Sequence, residues 1–322
     1  MNTSQNQQKG LEGDVKTGKR LTLFACPKPF HGKTGVIQRN AVRSWLRLRP
    51  QPQVILFGDD HGTKECAAAL EIRHVPEIRR NDYGTPLVDD LFVQVRRLSE
   101  ASLLCYINSD IIMTQALSQA IEVLNGACPP FLAVGHCWDL EVDGEIDFDR
   151  EEWEVDLEML VKESGRRRGP FHIDYCVFTR DLFDRLPPFA VGRIRWDNWL
   201  VWKALERGGR VIDASGMVRP VHQKHEYGHV DGGKKWSYGG PEARSNQRLA
   251  GLARWVHVYG ILDATHRLTG NGIEERKVSL SFVRQAGLRA LSWLEERRDP
   301  ARARGHRFAE RRGKGRAGET VG

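Results

Sequence analysis

Residues 103–112 read Leu-Leu-Cys-Tyr-Ile-Asn-Ser-Asp-Ile-Ile. Five apolar residues broken by three polar ones describe a strand buried on both faces that stops near 107. A strand covered on both sides belongs in a mainly parallel sheet. Its companions lie on either side in the sequence: 21–26, 53–57 and 72–75 upstream, and 131–134 downstream, are further short apolar runs. Between them the apolar residues take helical spacing over 36–48 (Val36, Ile37, Val42, Trp45, Leu46), at 67–70, over 87–98 (Leu87, Leu91, Val95, Leu98) and over 116–124. Short buried strands alternating with amphipathic helices predict an α/β fold, a Rossmann-like sheet with helices on both faces.

Past residue 142 the alternation loosens. An acidic stretch over 143–158 and a basic turn at 165–169 precede a strand expected over 171–178. A helix over 199–205 is stopped by Gly208-Gly209, and strands are expected at 210–212 and 217–221. Residues 222–240 form a long loop rich in His, Lys and Gly, and an amphipathic helix is expected over 278–294. The chain then divides into a polar leader (1–20), one domain (21–260), a helical C-terminal segment (261–298) and a basic tail (299–322). A chain of 322 residues fits one large core better than two small ones.

The net charge of +7 is concentrated at one end. Residues 297–322 hold nine Lys/Arg against three Asp/Glu, a net of +6, which leaves about +1 for all the rest. Such a block is ordinarily solvated, so a nucleic-acid partner is disfavoured. Cys26, Cys66, Cys105, Cys128, Cys137 and Cys176 contain no CxxC pair, which argues for reduced thiols and a cytoplasmic protein and against a cysteine zinc site. No secretory signal is expected from the polar leader. No run approaches the roughly 20 apolar residues that cross a bilayer. No P-loop or GxGxxG follows the initial strand, which disfavours kinases and NAD-dependent enzymes.

Open sheets of this kind bind ligands beyond the carboxyl ends of their strands. That rule selects Cys26-Pro27-Lys28, Gly58-Asp59-Asp60 and Asn108-Ser109-Asp110. Asn108 and Asp110, two apart on an extended backbone, would point to the same side. Oxygen ligands there suit a hard divalent ion that leaves positions open for phosphate. The alternative for Asp110 is a helix cap. Asp197 has two readings as well: a carboxylate base for an acceptor hydroxyl, or the N-cap of the helix that follows. Asp174, inside an expected strand, would be a costly buried charge unless it contacts substrate or pairs with one of Arg166, Arg167 or Arg168. Asp89 opens a helix and either faces a ligand or complements the helix dipole.

Four segments together, Tyr-Ile-Asn-Ser-Asp-Ile-Ile (106–112), His-Ile-Asp-Tyr-Cys-Val-Phe (172–178), Trp-Asp-Asn-Trp-Leu (196–200) and His-Gln-Lys-His-Glu-Tyr-Gly-His (222–229), resemble nucleotide-sugar glycosyltransferases of the GT-A fold. The resemblance spans roughly residues 20–240. It implies a metal-dependent transfer, inverting in outcome, of a sugar from a UDP- or GDP-linked donor to a saccharide or lipid-linked acceptor, with Mn2+ or Mg2+. In that family an Asp-x-Asp motif binds metal and diphosphate. Here Asn108 stands at the initial position, so Asp110 is the implied ligand and Asn108 is left to ribose or metal-bound water. A late histidine completes the metal site, best matched by His222 and then by His225, which otherwise falls on the sugar or acceptor side. Pro27, Lys28, Asp59, Asp60, Asp89, Asn108 and Ser109 are the implied donor side. Asp174, Trp196 (as a stacking face), Asn198 and His225 are the implied sugar and acceptor side, with Asp197 as base.

Two rivals stand beside this reading. A sugar-phosphate nucleotidyltransferase would carry a Gly-rich basic loop after the initial strand, and Pro-Lys-Pro-Phe-His-Gly-Lys-Thr-Gly (27–35) is a partial match. A nucleic-acid-binding protein would use the arginine-rich tail. The 278–294 helix followed by that tail also predicts peripheral contact with anionic membranes.

Overall fold

The computed structural model of the protein describes residues 21–125, 127, 130–225, 238–251 and 258–276. The leader, Cys128, His229, the expected 278–294 helix and the basic tail lie outside the described residues.

The chain begins with β1 (Leu21–Ala25), α1 (Gly32–Arg47), β2 (Gln53–Phe57), α2 (Thr63–Ala69) and β3 (Arg73–Val75). It continues through α3 (Val88–Leu98), β4 (Leu103–Ile107), β5 (Ile111–Ile112), α4 (Ala116–Asn125), β6 (Phe131–Val134) and β7 (Trp138–Leu140). After α5 (Trp153–Ser164), β8 (Arg166–Arg167) and β9 (Tyr175–Thr179) come α6 (Trp196–Glu206), β10 (Arg210–Asp213) and β11 (Val221–Gln223). The last elements are α7 (Pro241–Ala250), β12 (His266–Thr269) and β13 (Gly272–Glu275).

Nine strands form a large sheet in the order β13-β12-β10-β6-β9-β4-β1-β2-β3. Its pairs are parallel except that β9 runs against both β4 and β6, and β13 against β12. The expected α/β class holds. Side chains alternate between the two faces, and each face has its own core. Phe24, Leu104, Tyr106 and Phe178 pack with α3 and α6 residues such as Phe92 and Trp199 on one side. Leu23, Ala25, Cys105 and Ile107 pack with Trp45, Leu117 and Ile121 from α1 and α4 on the other. Each such side chain, taken fully from water, contributes about 1.5–3 kcal/mol. The polar residue inside β1, Thr22, is satisfied by Ser99 Oγ at 2.7 Å and Gln53 Oε1 at 2.9 Å.

A second sheet, β5-β11-β7-β8, sits beside the large one. The chain enters it directly from β4. Asn108-Ser109-Asp110 is a tight turn, with the Ile111 N–H on the Asn108 carbonyl at 3.2 Å, after which Ile111–Ile112 pairs antiparallel with β11. The three residues are therefore not extended, and their side chains are separated by the turn instead of aligned by a pleat. The step between sheets is fixed by α1: Trp45 is wholly buried and its Nε1–H donates to the Ile111 carbonyl at 2.9 Å.

Several boundaries differ from expectation. α1 starts four residues earlier than predicted and absorbs Gly32-Lys33-Thr34-Gly35, so no extended glycine-rich loop follows β1. Gly35 is there for packing: a Cβ would lie 2.9 Å from the Phe30 carbonyl oxygen. β9 begins only at Tyr175, because residues 171–174 line a cavity instead of joining the ladder. The expected strand 217–221 is a turn over 214–218 followed by β11. The segment from 261, expected as helical, adds a β12–β13 hairpin to the sheet edge. The hairpin turn, Gly270-Asn271, is a two-residue signal that the helical reading passed over.

Trp45→Ala should destabilise by about 3–5 kcal/mol, since it opens a cavity and strands the Ile111 carbonyl. Trp45→Phe, which keeps most of the volume but loses the donor, should cost only about 1–3 kcal/mol. Chemical denaturation midpoints of the two variants check the ordering.

Candidate functional site

A cavity of about 570 Å³ opens at the carboxyl ends of β1, β2 and β4, a volume suited to a small organic ligand. Its lining includes Pro27, Lys28, Asp60, Asn108, Ser109 and Asp110 from the strand ends, residues 171–174 and 193–198, and His222 and His225.

The strand-end wall is held from behind by α1. Gln38, buried in the core, accepts from the Lys28 N–H at 2.7 Å and donates to its carbonyl at 2.8 Å, while Ser109 Oγ donates to the same amide oxygen at 2.8 Å. Ser109 thus braces the turn, and Lys28 keeps its ammonium free to stand 3.9 Å from Asp110 Oδ2. Burial holds the Lys28 ammonium below its usual pKa, opposed by Asp110.

Asp110 is the centre. It is 8% exposed, with Oδ2 2.9 Å from His225 Nε2 and 3.8 Å from His222 Nε2. Asp110, His222 and His225 bring one ligand atom each within 4.8 Å of the others. Oδ1 of Asp110 is buried without a hydrogen-bond partner among the described residues. Burial alone would raise the Asp110 pKa, but His222, His225 and Lys28 hold the carboxyl well below the usual range. An ionised carboxylate with an orphaned oxygen facing two imidazoles is a donor set that fits a divalent cation.

The sequence reading missed the residue that orients this set. Asp139, on β7, accepts from His222 Nδ1 at 2.7 Å. An ionised carboxylate cannot donate, so Nδ1 carries a proton, and Nε2 is the ring nitrogen turned toward Asp110. Burial opposes ionisation of Asp139, but His222 and Arg168 keep its pKa low. Arg168, one of the three arginines considered for Asp174, is the one that pairs with it, at 3.3 Å, and its Nε lies 3.6 Å from Asp139. Asp139 sits on a three-residue strand, too short for its alternation with Trp138 and Leu140 to mark it in the sequence.

Asp197, also in the lining, is the second residue of α6, and the N-cap position belongs to Arg195. The simple cap reading of Asp197 is therefore replaced by one in which backbone N–H groups of Asn198 and Ile173 meet its carboxylate. Desolvation, with Asp174 adding to it, nevertheless pushes the Asp197 pKa up to about 7. Trp196 is 5% exposed and meets Tyr106 edge-on at 4.8 Å; it belongs to the cavity floor and core, not to an open stacking platform. Asn198 is structural too, donating to the Phe171 carbonyl at 3.0 Å and the Tyr259 carbonyl at 2.8 Å. Asn108 accepts from Tyr106 Oη and donates to Asp174 Oδ1, both at 3.2 Å.

Two expected donor-side residues fall outside the cavity. Asp59 is exposed and bonded to Arg80 at 2.6 Å. Asp89 lies in the first turn of α3, bonded to Arg79, where a negative charge complements the helix dipole. Asp60 does line the cavity, 2.9 Å from Arg80. Arg80 and Arg193, neither anticipated, line it as well.

No protein-family model matches the chain, and no curated protein matches it. Among solved structures the chain is similar to a mannosyltransferase from Pyrobaculum calidifontis in complex with GDP-Man and Mn2+ (15% identity, 66% of this chain and 59% of that one, TM-score 0.40). It is similar also to glucosyl-3-phosphoglycerate synthase from Mycobacterium tuberculosis (13% identity, 74% and 80%, TM-score 0.44). A third is S. aureus TarS 1–349 in complex with UDP-GlcNAc (12% identity, 65% and 60%, TM-score 0.44). The chain thus spans about 60% of the length of the mannosyltransferase and of the TarS fragment.

Asp139→Asn should lower Mn2+ affinity roughly 10- to 100-fold, because the His222 tautomer and ring orientation lose their anchor. Titration calorimetry with the metal alone checks this; unchanged affinity would separate Asp139 from the cation site.

Proposed function

We propose that the protein is a metal-dependent glycosyltransferase of GT-A type. It would move a sugar from a nucleoside-diphosphate donor to a hydroxyl acceptor with inversion. The observation that carries this reading is a pair of unlike carboxylates lining one cavity: Asp110, ionised and grouped with two histidines, and Asp197, whose pKa is near 7. One suits a cation that neutralises a leaving diphosphate, and the other suits proton removal from an acceptor.

Asp110, His222 and His225 would hold the ion, with His222 oriented by Asp139. A divalent ion so held supplies Lewis-acid stabilisation of the departing diphosphate. Lys28 adds a fixed positive charge beside it. Asp60, steadied by Arg80 at the end of β2, suits the nucleoside end of the donor. Asp197 takes the acceptor proton, and the Trp196–Tyr106 floor excludes water beneath the reacting groups. The nucleotidyltransferase alternative loses its main support, since the residues that would form its glycine-rich loop start α1. No helix among the described residues is long and apolar enough to cross a membrane.

Asp110→Ala should abolish Mn2+-dependent binding of UDP and GDP while the melting temperature stays within a few degrees of wild type. Retained metal-dependent nucleotide binding would remove Asp110 from the site.

The role of Asp197 has a pH signature. As a base it must be ionised, so turnover should rise with pH through about 7. Its effect on stability has the opposite sense: the raised folded-state pKa favours the fold at low pH, and that contribution is lost as pH climbs from about 4 through about 7. Asp197→Asn should flatten both limbs and cut turnover roughly 10²- to 10⁴-fold at unchanged nucleotide affinity. Near-normal turnover in this variant would make Asp197 structural and reopen a retaining transfer.

A further inference from the structure

The cationic side chains that line the cavity are matched almost one for one by carboxylates. Lys28 faces Asp110 at 3.9 Å, Arg80 holds Asp60 at 2.9 Å, Arg168 holds Asp174 at 3.3 Å, and Arg193 holds Glu242 at 2.7 Å. Arg195 is different. Among the described residues it has no salt-bridge partner, and its Nε is buried with no hydrogen-bond acceptor. A buried guanidinium N–H with no acceptor is costly. Desolvation already holds its pKa below the usual arginine value. Its backbone is unusual as well: φ is +85° at the N-cap of α6, a region that side chains other than glycine enter rarely. Residues in sparsely populated backbone regions concentrate where a ligand is clamped.

The position of Arg195 indicates what it meets. It lines the same cavity as Lys28 and Asp110, two residues before Asp197. Asn198 ties the Phe171 and Tyr259 carbonyls to the start of α6 there. Phe171 and Tyr238, 47% and 42% exposed, supply aromatic surface at the same cavity. Among the described residues Arg195 is the cavity-lining Lys or Arg without a salt bridge, and Asp197 is the carboxylate whose charge reaches it.

We propose that Arg195 selects the acceptor: it receives an oxyanion, phosphate or carboxylate, carried by the acceptor molecule close to the hydroxyl that Asp197 deprotonates. The inference rests on the glycosyltransferase reading. A planar guanidinium matches either oxyanion in bidentate fashion. With the anion docked, the acceptor hydroxyl oxygen bonds to the anomeric carbon of the donor sugar. The bond from that carbon to the diphosphate oxygen breaks, its electron pair leaves with the diphosphate, and the hydroxyl proton passes to Asp197.

The test titrates three probes of one scaffold, methyl glucoside, glucose 6-phosphate and glucuronate, into the full chain saturated with Mn2+ and UDP, and again with GDP. Wild type should bind at least one charged probe roughly 10- to 100-fold more tightly than the neutral one. Which charged probe gains tells phosphate from carboxylate. Arg195→Gln should erase the preference while leaving Mn2+–nucleotide affinity as in wild type. Arg195→Gly, which φ of +85° accommodates freely, repeats the measurement if the Gln variant melts early. A preference that survives both substitutions, or no preference in wild type, overturns the proposal. Loss of nucleotide affinity in both variants overturns it too, since Arg195 would then serve the donor. Absence of any metal-dependent nucleotide binding in wild type sinks the underlying glycosyltransferase reading, and the acceptor role with it.

Discussion

Everything at the site depends on one passage of the chain, the turn at Asn108-Ser109-Asp110 that takes it out of the large sheet and into the small one. A turn between two sheets exposes backbone groups that neither ladder satisfies, and such groups are expensive when buried. They are met from two directions. Gln38 of α1 holds Ser109 and the Lys28 backbone, and Gln223 of β11 gives both its N–H and its side-chain amide to the Asp110 carbonyl, each at 3.2 Å. Gln223 also donates to the Ile37 carbonyl and accepts from Asn40. A network of this kind is worth most when complete and becomes a liability when one member is lost. The same bonds that secure the turn bring β11, and with it His222 and His225, onto Asp110.

That arrangement separates two carboxylates that share one cavity. Asp110 sits among cationic and imidazole groups and stays ionised, whereas Asp197 is desolvated near another acid and holds its proton to about pH 7. The fold uses different local surroundings within one cavity to give the same functional group two chemical characters. Arg168 serves both halves, anchoring Asp174 beside Asp197 and Asp139 behind His222. A change at that one guanidinium would disturb the acid and the cation centre together.

The large sheet was legible in the sequence because its strands are continuous apolar runs, a pattern set by burial on both faces. The small sheet was not. β5, β7, β8 and β11 are two or three residues long, too short for periodicity to register, and their pairing is decided by contacts distant in sequence. The site was legible where it coincides with strand ends, as at Lys28, Asp60 and Asp110, and at Asp197, where a motif was quoted. Asp59 and Asp89 lie off the cavity lining, paired with Arg80 and Arg79, because neither a strand end nor a helix start says which way a side chain turns. Asp139 and Arg195 went unnoticed for different reasons: one lies on a strand too short to predict, and the other is marked by a backbone angle and surroundings that only the fold reveals.

The residues proposed to hold the cation come from positions far apart, with His225 and Asp110 separated by 115 residues, and they meet only when β11 has docked beside β5. A collapsed chain with one sheet formed would own Asp110 but not the imidazoles. Capture of an ion would then be a late event on the folding route, delayed by the closure of a long loop. Because the ion would bind only the finished structure, its concentration would set how firmly the last docking step is held. Availability of the metal would thereby act as a control on how many copies of the chain persist in their assembled form, quite apart from any part it plays in turnover.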